Sequence, residues 1–402
     1  MKYIVLVGDG MADRPIEELD GKTPLEAAKI PNMNFIAENG RVGLTNMIPH
    51  RMAAASDVAN LSILGYNPRK FYTGRGPLEA ANMGIDLKDN EIAFRCNLVT
   101  VSDERMADYS AGHISNEEAN TLINELNSKL GTDDITFYRG VSYRHLVIFK
   151  CKDEEELRLF SKVKCTPPHD ISGKKITSYL PKKSPLADLL RKMMDESRGI
   201  LSENELNKVR LDLKENPANM IWLWGQGTKP IMPKFRELYK LEGSIISAVD
   251  LIKGIARIIG LDVINVPGAT GYYDTNYLGK AQYALDSLKN KDFVFVHVEA
   301  PDEAGHNGDL REKIRAIENF DKFVVGTVLE HFKALKEDFR ILVLPDHATP
   351  LSIRTHSRDP VCFAMFGTDI EQDEIMRFNE KEARLSKFRI DKGHELMEFF
   401  IR

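Results

Sequence analysis

The sequence predicts an α/β fold: a mainly parallel sheet with helices on both faces, interrupted by a smaller inserted α+β domain. Three observations lead there. Short apolar runs without polar alternation occur near the start of the 402-residue chain and again in its second half, as expected for strands buried on both faces of a parallel sheet. Helix-like stretches separate most of these runs. The middle of the chain, roughly 75–215, lacks such runs and has strands with more polar alternation.

Taken in order, Tyr3–Val7 is the first apolar run, closed by Gly8-Asp9-Gly10. The stretch "AAASDVANLSILGY" from Ala53 to Tyr66 reads as a helix start. Ser56 is a preferred N-cap because its hydroxyl can accept a free backbone N–H. Asp57 then suits the first turn, Val58, Leu61, Ile63 and Leu64 form an apolar face, and Gly65 can end the helix. In the middle segment, Ile92–Val101, Ile135–Tyr138, His145–Cys151 and Lys175–Tyr179 read as strands. Glu117–Leu130 and Pro185–Glu215 read as helical, with Glu203–Glu215 a solvated helix and loop. Apolar runs return at Met220–Trp224, Ser244–Val249, Asp262–Val266, Phe293–Val298, Arg340–Leu344 and Val361–Phe366, with helices at Leu251–Ile259, Tyr277–Leu288 and Leu310–Lys333. The expected organisation is a discontinuous core, 1–74 and 216–402, around an insert at 75–215.

Composition narrows the function classes. With 43% hydrophobic and 29% charged residues, the chain can build substantial cores, which argues against disorder. The net charge is −5 with Lys and Arg spread along the chain, so no basic stripe marks a nucleic-acid partner. Cys96, Cys151, Cys165 and Cys362 are scattered without a CxxC, which fits free thiols in a reducing cytoplasm. The first apolar run is only five residues long, too short for a signal-peptide core. No run approaches a membrane span, so the expectation is a soluble cytoplasmic protein without a membrane partner.

Asp and His residues gather near the ends of the expected strands. Asp9 follows the first; Asp302 and His306 follow Phe293–Val298 in "HVEAPDEAGHNGD"; Asp346 and His347 follow another strand in "LVLPDHATP"; His356 comes shortly afterwards in "RTHSRDP". In open α/β sheets, ligands bind beyond the carboxyl ends of the strands. Each residue alone has a structural explanation, as a turn former, a loop histidine or a cap. Together they are a donor set for two divalent ions. The i, i+4 spacing of Asp302 and His306 puts carboxylate and imidazole on one helical face, a suitable pair for Zn²⁺ or Mn²⁺. Paired metals serve phosphoryl chemistry by activating an oxygen and screening charge. Ser56, at a helix start that favours phosphate, could then be both a cap and a nucleophile.

The motifs "LVGDGMAD", "SDVANLSILGYNP", "YTGRGPLEAANMGI", "DYSAGHIS", "GVSYRHL", "VPGATGYYDTNY", "APDEAGHNGD", "LPDHATP" and "THSRDPV", in this order from Met1 to about Val361, resemble those of the archaeal-type cofactor-independent phosphoglycerate mutases of the alkaline phosphatase superfamily. The resemblance implies an alkaline-phosphatase-like core and a reaction in which a metal-bound serine takes the phosphoryl group of phosphoglycerate, holds it while glycerate reorients, and returns it to the other hydroxyl. It assigns the nucleophile to Ser56, one metal to Asp9, Ser56, Asp346 and His347, and the other to Asp302, His306 and His356. The metals of the family are usually Mn²⁺, with Mg²⁺, Zn²⁺ or Co²⁺ as alternatives, and 2,3-bisphosphoglycerate is not required. The insert of the family closes over glycerate, which makes Arg95, Arg144, Asp108 and His113 candidate substrate contacts, since arginine forks suit a carboxylate. Arg75 in "GRGP" is a further phosphate candidate.

The chain departs from the family pattern at three places: Ala55 stands where Gly usually precedes the nucleophile, Cys362 replaces a usual Pro, and Arg139-Gly140 replaces a common Pro-Gly. Ala55 suffices only if that position needs no positive φ. The alternative enzyme is a metal-dependent phosphatase or phosphonate hydrolase of the same superfamily. An idle binding protein is disfavoured by the complete donor set, and a P-loop kinase by the absence of GxxxxGK[ST].

Overall fold

The apolar runs become strands because each residue in them has somewhere apolar to go. The structure, a computed structural model, describes residues 1–335 and 337–402. Its strands, in chain order, are β1 (Lys2–Gly8), β2 (Arg41–Thr45), β3 (Glu91–Ser102), β4 (Arg105–Asp108), β5 (Ile135–Val141), β6 (Arg144–Lys150) and β7 (Met220–Thr228). They continue with β8 (Gly243–Ile246), β9 (Asp262–Ile264), β10 (Phe293–Val298), β11 (Phe339–Leu344), β12 (Val361–Gly367) and β13 (Arg389–Ile390). The described residues separate into two units: Met1–Tyr72 with Met232–Arg402, and Thr73–Ile231.

The first unit holds an eight-stranded sheet of order β13-β2-β12-β11-β1-β10-β8-β9. The pairs β1–β10, β1–β11, β10–β8, β8–β9 and β13–β2 are parallel; only β12 runs antiparallel to its neighbours β11 and β2. Strand alternation sends successive side chains to opposite faces. Ile4 and Leu6 of β1 join a core with Met33 and Ile36 of the helix Pro31–Glu38, Ala281 of the helix Tyr277–Leu288, and Phe320 and Val328. Tyr3 faces the other way, edge-on to Phe400 of the helix Leu396–Ile401, and Phe293 meets Phe235 of the helix Phe235–Tyr239 at 4.6 Å. Helices therefore cover both faces. Ile4 and Leu6 are fully buried, which stabilises by about 1.5–3 kcal/mol per side chain.

Among the expected helices, Leu310–Lys333 becomes a helix Leu310–Asn319, a π-helical turn Phe320–Val325 and a helix Gly326–Ala334. The turn carries Asp321, whose carboxylate accepts the backbone N–H groups of Asn32 and Met33 and so caps the helix that starts at Pro31.

The second unit is an antiparallel sheet of order β4-β3-β6-β5, with β7 also paired to β3. Several expectations are corrected here. Met220–Trp224 is not a strand of the parallel sheet. It is β7, antiparallel to β3, and the second unit continues to Ile231 rather than 215. An unbroken apolar run marks burial on both faces, and β7 meets that condition beside the equally buried β3. Lys175–Tyr179 is a short 3₁₀ turn, Ile176–Ser178, with only Ile176 buried. The helix Glu205–Asp212 is less solvated than its charge implies, because Arg210 is buried and pairs with Glu118 at 2.8 Å. Among the described residues no helix is long and apolar enough to cross a membrane.

Candidate active site and metal centre

Three parallel strands deliver the acidic residues. Asp9 directly follows β1, Glu299 directly follows β10, and Asp346 lies just past β11. Gly10 must turn the chain at φ +58°, and a Cβ there would collide with the Asp302 carboxylate and the Thr349 hydroxyl. Glycine is thus required for the close approach. Asp346 Oδ1 accepts the backbone N–H of Gly10 (3.1 Å) and of His347 (2.8 Å), while Oδ2 accepts Asn60 Nδ2 (2.8 Å).

Ser56 is the first residue of the helix Ser56–Ile63, and the N-cap is Ala55, with no side-chain capping hydrogen bond. The cap reading of Ser56 is therefore corrected. Its hydroxyl is not spent on the helix end and lies 3.0 Å from His347 Nε2. Ala55 has φ −162° and ψ 147°, extended backbone open to any residue. The missing glycine carries no conformational penalty.

The structure brings together all seven residues expected to hold metal. His347 Nε2 is 3.4 Å from Asp9 Oδ1 and 3.6 Å from Asp346 Oδ2. His306 Nε2 is 3.2 Å from Asp302 Oδ2, and His356 Nε2 is 3.5 Å from Asp302 Oδ1. His347 borders both groups, since one of its ring nitrogens also lies within 4.8 Å of a carboxylate oxygen of Asp302 and of a ring nitrogen of His356.

Hydrogen-bond chemistry tests whether these residues fit a cation. His306 Nδ1 is 3.1 Å from the Arg354 carbonyl, and His356 Nδ1 is 3.2 Å from the Ala54 carbonyl. A carbonyl only accepts, so both rings carry hydrogen on Nδ1. That points two Nε2 lone pairs at each other across 2.9 Å, an arrangement that needs a positive charge between them. Asp9 Oδ1 is buried with no hydrogen-bond partner. Burial, then the neighbouring Asp346 and Asp302 charges, push the Asp9 carboxyl well above the usual range. Burial resists charge on His306, yet Asp302 lifts it to about 9. Protons thus stand in for missing positive charge, and the donors fit divalent ions.

Sequence reasoning missed a further set. His297 sits inside β10, wholly buried, with Nε2 3.4 Å from Asp9 Oδ2 and Nδ1 3.2 Å from Glu299 Oε1. Glu299 also accepts Lys280 Nζ at 2.7 Å and Ser247 Oγ at 2.8 Å. Burial opposes ionisation of Glu299, but Lys280 and His297 hold it well below the usual range. Burial likewise opposes charge on His297, and Asp346 and Glu299 raise it to about 9. A signal was present: a histidine inside the apolar run "FVFVHV" has to be paired.

In the second unit, Arg95 on β3 is buried, its Nε 3.1 Å from Glu79 Oε1 and its guanidinium 4.4 Å from the Trp224 ring centre. Arg75 stands over the same ring at 5.6 Å. Burial lowers the Arg95 pKa, Glu79 opposes this, and the positive charges of Arg75 and Arg144 add to it. Arg144 begins β6 opposite Asn97. Asp108 accepts hydrogen bonds from Ser110 N, Ser110 Oγ, Gly112 N and Asn216 Nδ2. That gives it a loop-building role, with His113 exposed at the end of the same loop.

Sequence and structure comparisons place the chain in a family. A protein from Methanosarcina barkeri named 2,3-bisphosphoglycerate-independent phosphoglycerate mutase is 51% identical over the full length of both chains. The chain belongs to the 2,3-bisphosphoglycerate-independent phosphoglycerate mutase family. The family profile of that description matches residues 37–207. A second mutase of this name, from Methanothermobacter thermautotrophicus, is 50% identical, covering 100% of this chain and 97% of the other. Among solved structures, a Pyrococcus horikoshii protein matches with TM-score 0.82 and 31% identity, covering 100% of this chain and 96% of that one. A cofactor-independent phosphoglycerate mutase from Thermoplasma acidophilum matches with TM-score 0.66 and 27% identity, covering 100% and 99%.

Proposed function

We propose that this chain interconverts 3-phosphoglycerate and 2-phosphoglycerate in the cytoplasm, in glycolysis and gluconeogenesis, through a phosphoserine on Ser56 and without 2,3-bisphosphoglycerate. The observation that carries the reading is the Ser56 hydroxyl, unused by its helix and 3.0 Å from His347, beside buried carboxylates and histidines arranged for cations. Asp9, Ser56, Asp346 and His347 would hold one ion and Asp302, His306 and His356 the other, Mn²⁺ being the first choice and Mg²⁺, Zn²⁺ or Co²⁺ the alternatives. Such ions, when bound, neutralise the buried carboxylates, lower the pKa of the serine hydroxyl and screen the transferring phosphoryl group.

Ser56 Oγ attacks phosphorus. The P–Oγ bond forms as the bond from phosphorus to the C3 oxygen breaks, and that oxygen, taking up the proton that the serine hydroxyl gives up, leaves as the hydroxyl of glycerate. Glycerate then turns, its C2 hydroxyl attacks the phosphoserine, and Ser56 regains its hydroxyl. Residues 73–231 supply substrate binding. Arg95, prearranged by Glu79 and Trp224, and Arg144 grip the carboxylate with planar forks. His113, on the loop that Asp108 builds, completes the contacts. Retention of glycerate separates a mutase from a phosphatase, because the acceptor hydroxyl must outcompete water.

The test supplies purified protein and Mn²⁺ with 3-phosphoglycerate and follows 2-phosphoglycerate alongside free phosphate. Conversion without added 2,3-bisphosphoglycerate, and without incorporation of labelled free glycerate, is expected. Free phosphate and glycerate as main products would establish the phosphatase alternative instead.

A further inference from the structure

Thr349 lies two residues beyond His347 and is completely buried. Its hydroxyl donates to Asp302 Oδ1 and lies 3.2 Å from His347 Nδ1. One oxygen therefore touches one residue from each of the two ligand groups. The rest of the residue is fixed from several sides. Its backbone N–H donates to the Ala12 carbonyl, and its own carbonyl accepts Lys313 Nζ at 2.8 Å. Lys313, also completely buried, is tied in turn to Asp13 Oδ2 at 2.7 Å. A Cβ on Gly305 would come within 2.8 Å of the Thr349 methyl carbon, so the glycine leaves room for this one placement of the side chain.

The protons can be assigned. A carboxylate has no hydrogen to give, and a hydroxyl has one. The Thr349 hydrogen goes to Asp302, so its oxygen is left to accept from His347. His347 must then carry its hydrogen on Nδ1, which leaves the Nε2 lone pair facing Ser56 Oγ at 3.0 Å. His306 and His356 reach the same state through backbone carbonyls; His347 reaches it through a side chain that mutation can remove.

We propose that Thr349 is a positioning residue that fixes the tautomer of His347 and the orientation of the Asp302 carboxylate at once, coupling the two cation groups through a single hydroxyl. The cation roles of these groups rest on the function proposed above; the tautomer assignment does not.

Three variants test this. Thr349→Val keeps the shape and removes the hydroxyl. Thr349→Ser and Thr349→Ala both lack the methyl and differ in the hydroxyl alone, so they carry the comparison if the valine variant fails to fold. The first readout is long-range ¹H–¹⁵N NMR of histidine-labelled, metal-free protein at pH 8, with the His347 signal identified by its loss in His347→Asn. The Nδ1–H form is expected in wild type and Thr349→Ser, and a mixture or the Nε2–H form in Thr349→Val and Thr349→Ala. The second readout is Mn²⁺ titration, in which removing the hydroxyl should weaken both sites by about 10–100-fold, as outer hydrogen-bond partners of metal ligands do. An unchanged tautomer, or weakening confined to one site, in a folded variant lacking the hydroxyl overturns the proposal. Wild-type protein that shows the Nδ1–H form but does not convert 3-phosphoglycerate would refute the proposed function and leave the tautomer assignment standing.

Discussion

The two units handle buried charge in opposite ways. The first gathers carboxylates, Asp9, Glu299, Asp302 and Asp346, around the ends of parallel strands and sets histidines among them. The second buries Arg95 between Glu79 and Trp224 and keeps Arg75 and Arg144 close by. Buried lysines in the first unit are each matched to a carboxylate, Lys280 to Glu299 and Lys313 to Asp13, which on the proposed function leaves Asp9 and Asp302 for cations. The contrast separates two tasks. On the proposed function, the anionic residues would collect the ions that phosphoryl transfer needs, and the cationic residues would grip the acid being rearranged. Changes in the first unit should stop turnover or unfold the protein; changes in the second should alter where the phosphoryl group goes.

The largest effect is expected from Ser56→Ala. Ser56 makes no capping bond, so the fold should persist by circular dichroism. Mutase turnover should fall by roughly 10⁴-fold or more, as it does when a covalent nucleophile is removed. Near wild-type turnover would end the phosphoserine mechanism. Next in size is Lys280→Met. It leaves Glu299 buried with only His297 as a charged partner, and removal of one member of a buried pair destabilises by about 3–5 kcal/mol. Urea unfolding of metal-free protein measures this. A loss below about 1 kcal/mol, the range of surface pairs, would show that Lys280 does not brace the site.

How much of this contrast was legible in the sequence differs between the units. The parallel sheet could be read because β1, β10 and β11 are unbroken apolar runs, and the carboxylates could be read because they come directly after those runs. Asn60, His297 and Glu299 escaped notice because they interrupt or border apolar stretches whose hydrophobicity dominates any pattern. Their roles depend on pairings across the sheet, such as β1 with β10, that no local spacing reveals. In the second unit, β7 carries the same apolar signature as the core strands, so sequence alone groups it with the parallel sheet and not with β3. Periodicity reports how deeply a strand is buried and not which neighbour buries it. The stacking of Arg95 on Trp224 joins residues on β3 and β7, so it became visible only once that pairing was known.

The pH dependence sharpens the picture of the first unit. His306 is lifted to about 9 in the metal-free protein. An ion that binds there must displace the proton at any lower pH, and binding strengthens as pH rises. The apparent affinity of the Asp302, His306 and His356 group should therefore climb by about tenfold per pH unit for one competing proton and level off near pH 9. His347, which burial holds down to about 4, should add no slope between pH 5 and 9. Activity at limiting Mn²⁺ should show the same rise, and saturating Mn²⁺ should flatten it. A profile at limiting metal that is flat down to pH 5 would remove His306 from the ligand set.

The smallest effect, and the one that tests the second unit alone, concerns the fate of the phosphoryl group. Arg144→Ala leaves every residue of the cation groups in place, as does Arg95→Ala once Glu79→Gln is added so that no buried carboxylate loses its partner, so Ser56 should still be phosphorylated by 3-phosphoglycerate. The variants should differ from wild type in the second half of the reaction. Glycerate held by fewer charge-assisted hydrogen bonds dissociates sooner, and each such bond is worth about 1.5–3 kcal/mol. Water then reaches a phosphoserine that has lost its intended acceptor. Free phosphate should rise several-fold relative to 2-phosphoglycerate, and labelled free glycerate, excluded by the wild type, should begin to enter the product. Arg144→Lys should restore little, because an ammonium cannot reproduce the planar fork. Glu79→Gln offers a finer probe. It keeps the shape beside Arg95 but removes the charge 3.1 Å from its Nε, so a smaller shift in the same direction is expected. If the arginine variants lost turnover in proportion while the ratio of the two products stayed at the wild-type value, the arginines would be acting in the transfer itself, and the division of labour between the two units would fail.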